Sequence, residues 1–247
     1  MKRYGLIGHP LTHSFSKSYF EQKFKAENIS DALYGNYPLA AISEVAALIE
    51  NTPELAGINV TIPFKESIIP FLTELTPEAE RIGAVNAVKI IRKQGITKTI
   101  GYNTDVYGFR MSLKPFLTSQ HYRALVLGTG GASKAVVYAL MELGIQVATV
   151  SREKGKGDLT WAEISEPLIR NYPLIINTTP LGMHPQTENY PPIPYSGIGK
   201  EHLLFDLIYN PDLTLFLTKG KAKGATVLNG LTMLKLQAEK SWEIWNS

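Results

Sequence analysis

Arg123-Ala124-Leu125-Val126-Leu127 leads directly into Gly128-Thr129-Gly130-Gly131-Ala132-Ser133, and an apolar pattern with helical spacing continues from Lys134 to about Leu143. This order predicts a buried strand, a tight loop and a helix. In such a unit Gly128 permits the turn and Gly130 lets the backbone approach a pyrophosphate, whose charge then lies at the helix N-terminus. Ser133 is a small residue at the third glycine position. The stretch favours a dinucleotide-binding unit, and an ordinary glycine-rich turn is the alternative because the glycine pattern alone is weak evidence.

The end of the next predicted strand indicates which dinucleotide is bound. Residues 146–150 form that strand, and Ser151-Arg152 follows it where NAD-binding units place an acidic residue, roughly 20 residues after the loop. A guanidinium there can bond a ribose 2′-phosphate through two parallel donors. The sequence therefore predicts NADP rather than NAD. A solvated surface arginine is the alternative, and Glu153 is an unfavourable neighbour for a phosphate unless it points away.

Strands and helices alternate along the rest of the chain. The first part carries predicted strands at 4–7, 57–60, 87–92 and 96–101, with helices at about 16–27, 42–50 and 78–82. A second series of strands follows at 123–127, 146–150, 174–176, 203–205 and 225–227. This alternation predicts an α/β fold of two parallel α/β units in tandem. A helix that begins at Val106 joins the units, and the final helix, at about 231–245, returns to pack on the first.

Composition narrows the class of protein. The 247 residues are 44% hydrophobic, which is enough for a core, and the formal charge of +3 is too mild for a nucleic-acid-binding surface. The absence of cysteine excludes disulfides, thiol nucleophiles and cysteine-ligated metals. No apolar run has the length of a membrane span, and the chain starts without a signal-peptide pattern. We therefore expect a cytoplasmic protein whose partner is a small molecule, without nucleic-acid or membrane contacts.

Polar loops follow several predicted strands, and ligands of open α/β sheets bind beyond the carboxyl ends of strands. The loop after the first strand contains Ser14 and Ser16, whose hydroxyls either face a ligand or cap the next helix. His9 and His13 in the same loop have no carboxylates nearby in the sequence. The sequence therefore predicts no metal site.

Lys65 and Asp105 are candidates for proton transfer. Lys65 is predicted to open a helix after Pro63, where the positive end of the helix dipole disfavours a cation, and this placement argues for a specific task. A lysine can lose its proton, whereas an arginine cannot, although a surface lysine is the alternative. Asp105 lies at the predicted N-cap of the helix from Val106, where it can cap, catalyse or do both. A lysine, an aspartate and a nicotinamide carrier suit carbonyl reduction.

Six segments together resemble the shikimate dehydrogenase family. They are Asn59 to Glu66, Gly83 to Asn86, Gly101 to Asp105, Gly128 to Ser133, Asn177 to Met183, and Asn229 to Leu234 with Gln237. Their order and spacing are unbroken from Gly5 to Trp245, which makes the resemblance specific. It implies reversible NADPH-dependent reduction of 3-dehydroshikimate to shikimate, in chorismate and aromatic amino-acid biosynthesis, without a metal. It also implies two α/β domains with the active site in the cleft between them.

The resemblance further implies domain and residue roles. Residues 1–105 with 230–247 would form the substrate domain, and residues 106–229 the Rossmann-like NADP-binding domain. Lys65 would be the catalytic acid–base and Asp105 its partner. The implied substrate contacts are Ser14, Ser16, Asn59, Thr61, Asn86, Tyr209 and Gln237. The implied cofactor contacts are Gly128, Thr129, Gly130, Gly131, Ala132, Ser151, Arg152, Thr178, Met183, Leu207 and Gly230.

The sequence departs from the family pattern in three places. Lys17 and Tyr19-Phe20 replace a proline and a His-Asn pair in the first loop, Pro77 replaces a polar residue near the cofactor, and Glu153 replaces a hydroxyl residue. Two alternatives therefore stay open: an enzyme that also uses quinate or accepts NAD, and a non-catalytic NADP-binding protein on the same fold. The oligomeric state, monomer or homodimer, is left open by the sequence.

Overall fold

The computed structural model describes residues 1–11 and 15–247, and the chain forms two compact α/β units. Unit 1 comprises Met1–Thr104 and Gln237–Ser247, and unit 2 comprises Asp105–Leu236. The sequence places the two boundaries at 105 and 229 instead. Each unit contains one six-stranded sheet, so the predicted fold class of two α/β units is confirmed.

The sheet of unit 1 has the order β2-β1-β3-β5-β6-β4. Its strands are β1 (Lys2–Gly8), β2 (Ala32–Pro38), β3 (Leu55–Val60), β4 (Glu74–Leu75), β5 (Ala87–Lys93) and β6 (Ile96–Tyr102). Its helices are α1 (Phe15–Ala26), α2 (Val45–Asn51) and α3 (Pro77–Ile82), with 3₁₀ turns at Ile42–Glu44 and Ile69–Phe71.

The prediction of a purely parallel sheet is wrong for unit 1. β1 runs parallel to β2 and β3, but β5 is antiparallel to both β3 and β6. Gln94 and Gly95 alone connect β5 to β6, and both have positive φ angles, 51° and 79°. A two-residue connection with this backbone joins only antiparallel strands, because a parallel pair needs a long crossover.

Unit 2 contains a sheet of the order β12-β11-β10-β7-β8-β9, in which every pair is parallel. Its strands are β7 (Arg123–Leu127), β8 (Gln146–Ser151), β9 (Leu159–Thr160), β10 (Leu174–Asn177), β11 (Leu203–Asp206) and β12 (Thr226–Leu228). Its helices are α5 (Gly131–Glu142), α6 (Glu166–Arg170) and α7 (Leu215–Lys221), while the chain passes from unit 1 to unit 2 at the start of α4 (Thr104–Leu113) and back within α8 (Leu231–Asn246). 3₁₀ turns lie at Lys114–Phe116, Trp161–Glu163 and Tyr195–Gly197. The strand order reverses beside β7, which is where open α/β sheets bind ligands.

The second half of α8 packs into unit 1. The ring of Trp245 stacks on Tyr4 with centroids 5.0 Å apart, and its Nε1 donates to the Val88 carbonyl at 3.0 Å. A Cβ added to Gly57 would lie 2.4 Å from the Trp245 ring, so only glycine fits beneath the indole. These aromatic contacts fix the direction in which the polar face of α8 points within unit 1.

Candidate active site

Backbone hydrogen bonds of unit 1 bring together three segments of the predicted substrate site. The Val60 N–H donates to the Asn86 carbonyl at 2.8 Å, and the Asn86 N–H donates to the Tyr102 carbonyl at 3.0 Å. The Val85 N–H donates to the Lys65 carbonyl at 2.7 Å. The ends of β3 and β6 and the loop before β5 therefore meet around Asn86.

The side chain of Asn86 is the centre of a buried polar network. Its Oδ1 accepts the Thr104 N–H at 2.6 Å, and its Nδ2 donates to Thr104 Oγ1 at 3.0 Å and to Gln237 Oε1 at 3.3 Å. Thr104 Oγ1 also lies 3.2 Å from Ser241 Oγ. Asn86 and Gln237, both predicted substrate contacts, are thus in direct contact.

The network continues through Asn59 to α1. Asn59 Nδ2 donates to Ser241 Oγ at 2.9 Å, and its Oδ1 accepts from the Tyr34 hydroxyl at 2.9 Å. The Ser16 hydroxyl hydrogen-bonds that same Tyr34 hydroxyl, and burial raises the pKa of Tyr34. Ser16 lies inside α1 and is 8% exposed. One network therefore includes four of the predicted substrate contacts, namely Ser16, Asn59, Asn86 and Gln237.

Three members of this network are absent from the sequence prediction: Tyr34, Thr104 and Ser241. Ser241 stands four residues after Gln237 on the same helix and therefore on the same helical face, which is a usable sequence signal. Tyr34 carries a weaker signal, since it requires β2 to be recognised as a strand. Thr104 stands inside a segment already quoted for the resemblance, next to the more conspicuous Asp105.

Lys65 is half-buried and lies in a turn, so the prediction that it opens a helix is wrong. Its carbonyl accepts from Val85 of the neighbouring segment, and the Ile69 N–H bonds to the Glu66 carbonyl instead. These bonds leave only a 3₁₀ turn at Ile69–Phe71. The turn that contains Lys65 follows a tighter turn at Thr61, whose carbonyl accepts the Phe64 N–H at 2.9 Å.

Asp105 is the second residue of α4 and is 6% exposed. Its predicted N-cap position is wrong, because the helix begins at Thr104, whose N–H is bonded by the Asn86 side chain. Lys65 belongs to unit 1, whereas Asp105 and Tyr209 belong to unit 2. Burial raises the pKa of Tyr209. Ser14 lies outside the described residues.

The glycine loop of unit 2 follows β7 as predicted. Gly128 has φ 114°, and a Cβ there would lie 2.6 Å from Thr178 Oγ1, so glycine is required. Ser133 Oγ donates to the Gly128 carbonyl at 2.7 Å and closes the loop. α5 begins at Gly131, three residues before the predicted start.

Gly130 stands at the N-cap of α5, where no described side chain makes a capping hydrogen bond. A Cβ built on Gly130 meets nothing within 4 Å. The space beside Gly130 is therefore open at the N-terminus of α5, where the first backbone N–H groups of the helix lie and where Thr129 and Ala132 are neighbours in the chain. This arrangement fits a pyrophosphate, which helix N-termini bind through such groups.

Arg152 is exposed at the end of β8, beside buried Ser151. The carboxylate of the next residue, Glu153, pairs with Lys156 at 2.8 Å, and this partner holds the pKa of Glu153 below its ordinary value. Ser151 Oγ accepts the Glu153 N–H at 3.1 Å. Glu153 therefore stays ionised and has Lys156 as its partner, and the neighbouring Arg152 guanidinium is exposed, as a contact with a phosphate requires.

The remaining predicted cofactor contacts lie on the loops after β10, β11 and β12. Thr178 Oγ1 donates to the Leu127 carbonyl at 2.7 Å, which ties its loop to β7. Gly230 donates its N–H to the Ile208 carbonyl at 3.0 Å, and a Cβ there would lie 2.0 Å from the Leu207 carbonyl. Met183 is 45% exposed on the loop after β10. All these positions share the carboxyl edge of the sheet of unit 2.

The described residues contain neither a metal-binding cluster nor a membrane-spanning helix. Among residues 1–11 and 15–247, no group of three or more histidine, aspartate or glutamate side chains is arranged to hold a metal ion. Over the same ranges, no helix combines the length and apolar character needed to cross a membrane.

Comparison with known proteins agrees with this geometry. Residues 6–88 match the family described as "Shikimate dehydrogenase substrate binding domain". The shikimate dehydrogenase (NADP(+)) of Carboxydothermus hydrogenoformans is 39% identical over 98% of this chain and 90% of its own length. The chain belongs to the shikimate dehydrogenase family. The predicted family membership is therefore confirmed.

Solved shikimate dehydrogenases have the same fold throughout. The structure from Aquifex aeolicus is 37% identical and covers 100% of this chain and 92% of its own, with a TM-score of 0.87. The structure from Thermus thermophilus, described as a complex with NADP(H) and shikimate, is 31% identical, covers 99% and 93%, and has a TM-score of 0.86. The similarity thus extends over both units of the chain.

Proposed function

We propose that this chain catalyses the reversible NADPH-dependent reduction of 3-dehydroshikimate to shikimate. The observation that carries the proposal is the buried network of amides and hydroxyls in unit 1. A polyhydroxylated ring requires many neutral donors and acceptors in fixed orientations, and asparagine, glutamine, serine and threonine supply both. The full-length similarity to NADP-dependent shikimate dehydrogenases supports the same reaction.

The substrate contacts divide by chemistry. The carboxylate of the ring binds the serine hydroxyls of Ser14 and Ser16, and its hydroxyls bind Thr61, Tyr209 and the amides of the network. Asn86 and Gln237 fix each other's orientation through their hydrogen bond. Because their side chains are held in place before the ligand arrives, binding orders few rotamers, and this preorganisation favours affinity.

Lys65 is the acid–base of the proposed reaction and Asp105 is its partner. In the reducing direction Lys65 gives a proton to the oxygen of the ring carbonyl as that carbon becomes a secondary alcohol. In the reverse direction its neutral amine accepts the proton from the hydroxyl. The carbonyl of Lys65 is fixed by Val85, which limits the movement of the residue.

NADP is held by unit 2 in this proposal. Gly128–Ala132 and the N-terminus of α5 bind the pyrophosphate, Arg152 and Ser151 bind the ribose 2′-phosphate, and Thr178, Met183, Leu207 and Gly230 contact the rest. When bound, the reduced nicotinamide supplies hydride to the carbonyl carbon. The predicted domain roles follow: unit 1 binds the substrate and unit 2 the cofactor. The cytoplasmic location stays a prediction.

Steady-state assays with shikimate and quinate, each with NADP⁺ and NAD⁺, test the proposal. We expect kcat/KM to be highest for shikimate with NADP⁺. Quinate oxidation at a comparable kcat/KM would make the chain a shikimate/quinate dehydrogenase. The absence of any turnover, together with measurable NADP⁺ binding, would instead support a non-catalytic NADP-binding protein.

A further inference from the structure

A buried carboxylate in unit 2 has no part in the chemistry proposed above. Asp206, the last residue of β11, is 0% exposed. Burial of a carboxylate is costly unless several hydrogen bonds replace those it made to water. Its partners Asn177, Ile208 and Thr214 all belong to unit 2.

Asp206 joins the ends of two neighbouring strands. Its Oδ1 accepts from Asn177 Nδ2 at 3.0 Å and from the Ile208 N–H at 3.1 Å. Its Oδ2 accepts from Thr214 Oγ1 at 2.6 Å. Asn177 is the last residue of β10 and is 0% exposed as well. The carboxylate therefore connects the β10 end, the β11 loop and the N-cap of α7.

The same contacts continue into both loops. Asn177 Oδ1 accepts from the Thr179 N–H at 3.0 Å, while the Asn177 carbonyl accepts from the Leu207 N–H at 3.0 Å. Thr178 and Leu207, two of the proposed cofactor contacts, thus flank residues that Asp206 holds. The Gly230 N–H bonds to the Ile208 carbonyl, which joins the loop after β12 to the same cluster.

The sheet order indicates which half of the dinucleotide these loops would meet. β7, with the glycine loop, has β8 on one side and β10, β11 and β12 on the other. If the pyrophosphate lies at the loop after β7 and Arg152 after β8 takes the adenosine phosphate, the nicotinamide half extends over β10 to β12.

We propose that Asp206 is a positioning residue that holds the loops after β10 and β11 in the arrangement that binds the nicotinamide half of NADP. The inference rests on the proposed function of unit 2. Asp206 acts through Asn177, Ile208 and Thr214 and does not itself contact the cofactor.

The test compares two ligands by titration calorimetry on the full chain. NADP⁺ engages both halves of the site, whereas adenosine 2′,5′-bisphosphate engages only the glycine loop and the Arg152 side. Asp206→Ala removes every acceptor, and we expect the Kd of NADP⁺ to rise by about tenfold or more, equivalent to one lost hydrogen-bond group of this kind. The Kd of adenosine 2′,5′-bisphosphate should stay within about twofold.

Conservative variants keep the test informative if the alanine variant fails to fold. In Asp206→Asn the amide oxygen still accepts from Asn177 and Ile208, and the amide nitrogen donates to Thr214 Oγ1, so NADP⁺ affinity should be largely restored. Thr214→Val removes the hydroxyl that donates to Asp206 and should weaken NADP⁺ binding, whereas Thr214→Ser keeps a hydroxyl and should bind NADP⁺ as the wild type does. Ser165→Ala removes the cap of α6, ahead of β10, and serves as a destabilised control with normal affinities.

Each outcome bears on the inference in one direction. NADP⁺ and adenosine 2′,5′-bisphosphate weakened equally by Asp206→Ala would mean general damage to unit 2, and unchanged NADP⁺ affinity would mean no positioning role. Either result would overturn this inference but would leave the proposed function of unit 2 unaffected. Failure of the wild-type chain to bind NADP⁺ would overturn the proposed function and, with it, this inference.

Discussion

Lys65 carries the proton transfer in the proposed reaction, so its replacement gives the largest expected loss at a single residue. Lys65→Met keeps the length of the side chain and removes the ionisable group. We expect kcat to fall by roughly 10²–10⁴-fold, the usual span for a lost general acid–base, while KM for shikimate changes much less. Steady-state kinetics check this expectation.

A matched control for Lys65 is available in unit 1. Lys98 forms an exposed ion pair with Glu74 at 2.7 Å, so Lys98→Met removes a lysine of the same unit outside the network. Its kcat should equal that of the wild type. If Lys65→Met retained more than about half of normal turnover, against the 10²-fold or greater loss of an essential acid–base, Lys65 would only position the substrate.

Arg152 should determine the preference for NADP over NAD. A charge-assisted bidentate contact with the 2′-phosphate corresponds to roughly ten- to hundredfold discrimination, and Arg152→Ala should lose most of it. Lys156→Ala should lower the preference less, because it frees the Glu153 carboxylate beside the phosphate. The measurement is kcat/KM for both cofactors at two salt concentrations, with a smaller preference at high salt.

The control for Arg152 is Arg170→Ala, which removes an arginine of α6 that pairs with Glu166. Its cofactor preference should match the wild type. An unchanged preference in Arg152→Ala would move the 2′-phosphate contact to another residue, and a wild type that used NAD and NADP equally would contradict the cofactor assignment itself.

At the scale of elements, long periodic segments are predictable from the sequence and short irregular ones are not. The five predicted strands of unit 2 and α8 differ from their predicted bounds by one residue at most, whereas the two-residue strand β9 is not predicted. The sequence does not predict β2, because Gly35, Asn36 and Pro38 are poor strand formers and an edge strand tolerates them. With β2 absent, Tyr34 stays outside the predicted site.

Long-range hydrogen bonds account for the other differences. The Lys65 segment reads as a helix start because a proline precedes it, but the Val85 N–H takes the carbonyl that a helix would use. The start of α4 shifts by one residue because Asn86, distant in sequence, bonds the Thr104 N–H. Val85 and Asn86 both lie outside the local sequence around Lys65 and Thr104, so the sequence pattern could not predict either hydrogen bond.

The attachment of α8 within unit 1 gives an element-scale prediction. In Gly57→Ala the new methyl overlaps the Trp245 ring, and overpacking of this kind costs about 1–3 kcal/mol. Because Gln237 and Ser241 lie on the same helix, KM for shikimate should rise with the loss of stability. Urea denaturation and steady-state kinetics measure the two effects.

Gly35→Ala in β2 is the control for Gly57→Ala. A Cβ there meets Tyr37 at an ordinary contact distance of 3.4 Å, and replacing a strand glycine by alanine favours folding by about 0.5–1 kcal/mol. Stability and KM should therefore be preserved or slightly improved. Equal behaviour of the two variants would show that the Trp245 contact does not hold α8 in place.

At the scale of the whole chain, unit 1 is assembled from both ends of the sequence. The chain leaves unit 1 at Thr104 and returns to it at Gln237. Unit 2, by contrast, is one continuous segment, so its parallel sheet can form from successive strands and crossovers. The return is predictable from the resemblance, since Gln237 must reach the ligand of Thr61, but its boundary inside α8 is not marked in the sequence.

Two buried groups of unit 2 give its stability opposite dependences on pH. Burial lowers the pKa of His121. The backbone hydrogen bond with Glu201 acts to raise this pKa and the nearby His202 to lower it, while Nδ1 of His121 accepts the Thr118 N–H at 3.0 Å. The unfolded chain therefore binds more protons at this site, and stability is lost as pH falls below about 6.5.

The second group is Asp206. Burial raises the pKa of Asp206 to about 7, although the hydrogen bonds from Thr214, Ile208 and Asn177 act to lower it, and Tyr195 is close enough to interact with its charge. Here the folded chain binds more protons, and stability is lost as pH rises from about 4 to 7.

Because the two effects oppose each other just below pH 6.5, the wild type should show a shallow dependence there, and single variants should separate the contributions. Asp206→Asn should remove the loss of stability that accompanies a rise in pH from about 4 to 7, leaving stability that rises with pH up to about 6.5. His121→Asn keeps an acceptor for the Thr118 N–H and should leave stability that falls as pH rises towards 7. The slope from Asp206 should approach about 1.4 kcal/mol per pH unit, the value for one proton, and the slope from His121 should have the opposite sign. Urea unfolding from pH 5 to 8 measures these slopes, and parallel curves for the wild type and Asp206→Asn would mean that Asp206 stays ionised throughout this range.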